Sequence, residues 1–167
     1  MSLKTELVIF DWDGTLYNSV GQIVASLQHA AEEHKLTLTD EAAKSIIGLG
    51  LPEVMQTLFP DVPDLHDSIL KAYGDHYIAN STNDAWFEGI SELLHDLKAQ
   101  GLKLAVATGK NRRGLDRVIA KTQSTHLFDV TRAANETRSK PDPLMLKEIL
   151  TVTGVSVEQA GMIGDSS

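Results

Sequence analysis

Two carboxylates separated by one residue, Asp11 and Asp13, follow directly on the apolar run Leu7-Val8-Ile9-Phe10 and lead into Gly14-Thr15. In an extended segment residues i and i+2 project to the same side, so both acids would face one pocket. Such a pair can bind a divalent cation through oxygen or divide nucleophilic and acid/base work. A D-x-D pair alone also fits a capped turn with two solvated acids. The apolar strand before it and Gly-Thr after it shift the balance toward a site. A calcium loop is excluded, because Leu16 stands where an EF-hand needs glycine. Other polar groups stand at similar breaks in the pattern: Thr108-Gly109-Lys110, Lys140 before Pro141-Asp142-Pro143, and Asp165 after Ile163-Gly164. Taken singly, these are a strand-end or capping threonine, a loop lysine and a turn acid. The Gly109-Lys110 pair is not a P-loop, since the first glycine and the final Ser/Thr are both wrong. The six histidines show no zinc-like spacing.

The elements that must position these residues alternate. Leu7-Phe10 and Leu104-Ala107 are four-residue apolar runs closed by turn formers, as in strands buried on both faces. Leu127-Phe128-Asp129-Val130 is expected as a third, shorter strand, and Ala160-Ile163 leads into Gly164-Asp165. Helical spacing carries Ile90, Leu93, Leu94 and Leu97, with Gly101 as C′, then Leu115, Val118 and Ile119, then the segment after Pro143. Between the first strand and Trp86 lie about seventy residues with helical periodicity. Ser19 and Gln22 predict a capping box. Further helices are expected from Thr39/Asp40 to Gly48, from Pro52, and through Leu65, Ile69, Leu70, Tyr73 and Tyr77. Trp86-Phe87 is expected as a buried aromatic hinge. Strands alternating with helices imply a doubly wound, Rossmann-like parallel sheet. Its ligands collect at the carboxyl ends of the strands, where the polar residues above fall.

Composition bounds the function. Apolar residues make up 42% of 167, enough for a packed core. No apolar run reaches the roughly 18–20 residues of a membrane span, and the start carries no signal-peptide pattern, so a cytoplasmic protein is expected. With no cysteine, disulfides and thiolate chemistry are excluded. A net charge of −8, with no basic block longer than Arg112-Arg113, disfavours nucleic acid.

Phe10-Asp11-Trp12-Asp13-Gly14-Thr15-Leu16 resembles the first signature of the haloacid dehalogenase superfamily. Ala107-Thr108-Gly109-Lys110, Lys140-Pro141-Asp142-Pro143 and Ile163-Gly164-Asp165-Ser166 resemble its other signatures, in order. The helical insertion matches the cap of one subgroup, the phosphoglycolate phosphatase and beta-phosphoglucomutase relatives. The resemblance implies an α/β core at 1–15 and 86–167 and a cap at 16–85. It implies that Asp11 attacks phosphorus to form an aspartyl-phosphate. Asp13 protonates the leaving oxygen and later deprotonates water. Mg²⁺ would be held by the Asp11 side chain, the Asp13 backbone carbonyl and Asp165. Thr108 would donate to a phosphoryl oxygen, Lys140 would neutralise it, and Gly109 and Lys110 would add contacts near the substrate. Gly48-Leu49-Gly50-Leu51-Pro52 matches a cap segment that hangs over the active site in relatives.

Asp13 separates reaction classes, because dehalogenases and phosphonate hydrolases of the superfamily lack an acid there. A Mg²⁺-dependent phosphomonoester hydrolase acting on a small phosphorylated metabolite is therefore expected. A phosphosugar mutase with the same nucleophile, or a binding and assembly fragment, remain open. The family carries a further acid, helix and strand beyond the position of Asp165, whereas this sequence stops at Ser167. The last βα portion of the core is thus expected to be missing. The Ile163 strand would then be a sheet edge prone to self-association.

Overall fold

The computed structural model describes residues 4–80, 86–137 and 142–164. Four parallel strands form the sheet in the order β3-β2-β1-β4: β1 Leu7–Phe10, β2 Lys103–Ala107, β3 Val130–Arg132 and β4 Ala160–Ile163. β1 is buried throughout and lies between β2 and β4. That position explains its unbroken apolar sequence: both faces are covered and both edges paired.

Alternate strand residues feed two separate cores. Val8, Phe10, Leu104 and Val106 pack with Leu94 of α5 (Ile90–Ala99) and with Leu115, Val118 and Ile119 of α6 (Arg112–Thr122). Leu7, Ile9, Ala105 and Ala107 pack with Met145 and Ile149 of α7 (Leu144–Thr153) on the other face. This is the doubly wound architecture. Gly101, at φ +86°, ends α5 in the left-handed conformation that glycine adopts without Cβ strain.

The segment after β1 is helical: α1 Val20–Glu33, α2 Asp40–Lys44, α3 Leu51–Leu58 and α4 His66–Asn80. It has its own core, in which Leu27, Ala30 and Ala31 of α1 meet Val54 and Met55 of α3 and Ile69 and Tyr77 of α4. The two parts join where Tyr17 bridges Trp86 and the Phe87 N–H donates to the Leu16 carbonyl at 3.0 Å. Leu16 and Tyr17 pack with the sheet core, whereas the cap cluster starts at Val20.

Several expectations are corrected. β3 begins at Val130, not Leu127, because residues 125–127 close a 3-10 turn and Asp129 turns its carboxylate back onto the Leu104 N–H at 2.9 Å. α2 stops at Lys44 rather than running on to Gly48. Of the hinge aromatics, Trp86 packs on Trp12 at 5.2 Å between ring centroids, but Phe87 is exposed. No helix among the described residues is long and apolar enough to cross a membrane.

Candidate active site

The sheet brings five of the sequence-selected residues, Asp11, Asp13, Thr108, Gly109 and Lys110, to one end. Asp11 follows β1 and Thr108 follows β2, and pairing of Phe10 with Val106 sets the two strand ends side by side. Asp11 and Asp13 are 3% and 8% exposed, and Thr108 is 1% exposed. Carboxylates that deep are held by charge or hydrogen bonds. Asp11 Oδ1 accepts from the Trp12 N–H at 2.9 Å. Asp13 Oδ1 accepts from Ser19 Oγ at 2.6 Å and pairs with Lys110 Nζ at 3.3 Å. The Thr108 hydroxyl accepts from the Lys110 N–H at 3.1 Å, which leaves its own hydrogen to donate elsewhere. Lys140 and Asp165 lie outside the described residues.

Ser19 is the first residue that sequence reasoning misassigned. It occupies the N-cap of α1 but makes no cap hydrogen bond, because its hydroxyl serves Asp13. The S-x-x-Q spacing reads identically in both cases, and only the folding of the Asp13–Tyr17 turn decides between them.

Lys110 is held from two directions. Asp13 contacts its ammonium, and the Tyr77 ring of cap helix α4 lies 5.1 Å from it, within cation–π range. Arg117 of α6 lies 5.7 Å from the same ring. Neither Tyr77 nor Arg117 carried a signal beyond helical periodicity. The Gly48–Leu49 turn of the cap closes on the core at Gly109. A Cβ added there would meet the Leu49 carbonyl oxygen at 2.3 Å and the Gly48 oxygen at 2.6 Å. Between α4 and α6 the cap and core flank a solvent-open cavity of about 910 Å³, with Asp13 and Lys110 in its wall.

The start of α6 is fixed by a network. Asn111 caps it by accepting from the Gly114 N–H at 2.8 Å, and the Arg112 N–H donates to Asn135 Oδ1 at 2.7 Å. The Arg112 guanidinium binds Glu136, the Thr131 carbonyl at 3.0 Å and Thr131 Oγ1 at 2.8 Å. Burial opposes ionisation of Glu136, but bonds from Arg112 and from the Ala133 N–H outweigh it and hold the carboxyl below the usual range. These contacts tie the Thr108–Lys110 turn to β3.

The sequence profile of the haloacid dehalogenase-like hydrolase family matches residues 8–167. The chain belongs to that family. As a haloacid dehalogenase-like hydrolase it is 31% identical to a phosphoglycolate phosphatase of Rhodospirillum rubrum, over 95% of this chain and 71% of that protein. It is 29% identical to one from Mesorhizobium japonicum, over 98% of this chain and 76% of that protein. The crystal structure of a hydrolase from Pseudomonas syringae shares the fold with a TM-score of 0.85 at 23% identity, over 97% of this chain and 76% of that one.

The buried acids also bear on a metal. Asp11 and Asp13 offer hard oxygen donors at one strand end, the chemistry Mg²⁺ requires. Asp13 Oδ1 is committed to Ser19 and Lys110. Among the described residues no group of three acidic or histidine side chains could hold a cation. The site expected from the resemblance takes the Asp11 side chain, the Asp13 backbone carbonyl and, as its second carboxylate, Asp165.

Proposed function

We propose that this haloacid dehalogenase-like hydrolase is a cytoplasmic phosphomonoesterase acting on a small phosphorylated metabolite. The observation that carries this is the buried Asp11 at the end of β1, with Asp13, Ser19 and Thr108 around it. The two relatives named phosphoglycolate phosphatase support it. Asp11 attacks phosphorus, the ester P–O bond breaks, and the alcohol leaves with a proton from Asp13. Asp13 then takes a proton from water, whose oxygen attacks the aspartyl-phosphate and releases inorganic phosphate and free Asp11. Asp13 is suited to both roles because Ser19 fixes its carboxylate without removing it from the cavity wall. Thr108 donates to a phosphoryl oxygen, Gly109 and Lys110 add contacts beside it, and Lys140 supplies positive charge. Mg²⁺ would be held by Asp11, Asp13 and Asp165 and would offset repulsion between carboxylate and phosphoryl group.

The test is a panel of phosphomonoesters with Mg²⁺, run beside Asp11→Asn. Phosphate release should fall at least about 10³-fold in the variant. A wild-type rate no greater than the variant's on every substrate would reject the proposal. Return of the phosphoryl group to a sugar through a bisphosphate, instead of its release, would favour the mutase.

A further inference from the structure

The cavity between α4 and α6 is larger than a minimal substrate needs. Ligand pockets run roughly 300–1,000 Å³, and this one, at about 910 Å³, stands near the top. At roughly 30 Å³ per water, it has room for about thirty. A leaving group of two or three carbons would fill only a small part of that space.

Its walls differ in kind. The cap contributes Leu49, Leu70, Tyr73 and Ile78, and α6 contributes Arg113 and Arg117. Ile78 is 61% exposed, an unusual amount for a large apolar side chain lining a cavity. Gly74 lies one turn before it on the same face. Glycine is the poorest helix-interior residue after proline, yet nothing in the packing requires it here. Its backbone is not in the left-handed region, and an added Cβ would meet no atom within 4 Å. What the missing side chain supplies is space in the cavity that Gly74 lines.

We infer that this cavity is a leaving-group subsite for phosphomonoesters with a bulky, largely apolar alcohol part, of fused-aromatic size, and that Gly74 sets its depth. The inference rests on the phosphomonoesterase reading. The apolar body lies against Leu49, Tyr73 and Ile78, with its polar edge toward Arg113 and Arg117. A side chain at position 74 would project into the volume that the body occupies.

The test compares phenyl phosphate with 2-naphthyl phosphate, whose leaving groups have similar acidity but different size. The wild-type enzyme should show kcat/KM at least tenfold higher for the naphthyl ester, and Gly74→Leu should bring that ratio to one or below. Gly21→Leu, on α1 away from the cavity and equally open around its Cβ, should leave the ratio unchanged. Should Gly74→Leu fail to fold, Gly74→Ala should at least halve the ratio. A wild-type ratio near one, or a ratio that position 74 does not move, overturns the inference. If neither ester is hydrolysed, calorimetric titration of Asp11→Asn with 2-naphthyl phosphate separates the two claims. Binding weakened tenfold or more by Gly74→Leu keeps the subsite, and the full phosphomonoester panel then decides the hydrolase reading on its own. Absent binding, or binding indifferent to position 74, sinks the subsite.

Discussion

Ser19 shows how much a single hydroxyl can carry. Its 2.6 Å bond to Asp13 is fully buried, and Lys110 is the other group seen on the same oxygen. Removing a hydrogen bond to a buried charge costs about 1.5–3 kcal/mol. General acid/base groups contribute roughly 10²–10⁴ to rate, and part of that depends on orientation. Ser19→Ala should therefore lower kcat about tenfold or more and destabilise the protein by about 2 kcal/mol in urea unfolding. Unchanged kcat would show that Ser19 does not orient Asp13. At this scale the polar groups were legible in the sequence: Asp11 and Thr108 each follow an apolar run directly and stand just beyond the ends of β1 and β2, with Asp13 two residues past Asp11. Ser19 was not, because a serine two residues beyond Tyr17 reads as a cap unless the turn that aims it inward is known. Tyr77 was legible only as an apolar helix position, and its approach to Lys110 is a contact across 33 residues.

Elements were read best where local pattern and burial agree. β1 and residues 104–107 of β2 are continuous, buried apolar runs, and α5 ends at the glycine that suits it. β3 was misplaced because Leu127 and Phe128 look like strand residues but anchor a turn beneath the sheet, while Thr131 and Arg132, less apolar, take the pairing with β2. The polar network at the start of α6 was invisible, since Arg112, Asn135 and Glu136 meet only in the fold. It has a pH signature. The Glu136 carboxyl is lowered from 4.5, so its contribution is fully present above that unfolded value. The contribution is lost as pH falls through the lower folded value. Asp129 behaves in the same direction from 3.8: burial opposes its charge, and bonds from Lys98 and the Leu104 N–H prevail. Thermal melts taken from neutral pH down through the carboxylate range should show Tm falling below about pH 4.5. The fall should be shallower in Glu136→Gln, with the Asp129 share remaining. Parallel curves for the two proteins would assign the acid sensitivity elsewhere.

At the scale of the molecule, two surfaces govern behaviour. Among the described strands β4 pairs on one side only, with β1, and its Met162 and Ile163 are each 46% exposed. We propose that this edge pairs with the same edge of a second copy. Sedimentation should show concentration-dependent association that Ile163→Lys removes, and a monomeric wild type at every concentration ends the proposal. The second surface is the seam between cap and core, where Gly48 and Leu49 meet Gly109. Sequence alone marked both segments, 48–52 as a cap loop and 108–110 as a strand end, but not that their backbones touch. Gly48, at φ +98°, adopts a conformation that side chains disfavour. At Gly109 a methyl group would fall 2.3 Å from one carbonyl oxygen and 2.6 Å from another, both backbone atoms that cannot rotate away. Gly109→Ala must therefore push the cap off this seat. The cores of the two parts are separate clusters, so the melting temperature should change little. The displaced cap would take Tyr77 away from Lys110 and widen the cavity. Misplacement of about 1 Å in a closed site can cost about 10²-fold in rate, so kcat/KM should fall 10- to 100-fold. The radius of gyration from solution scattering should rise. Full activity with unchanged scattering would mean that the seam is not needed for closure, and that the cap is positioned by the Tyr17–Trp86 hinge and the Tyr77 contacts alone.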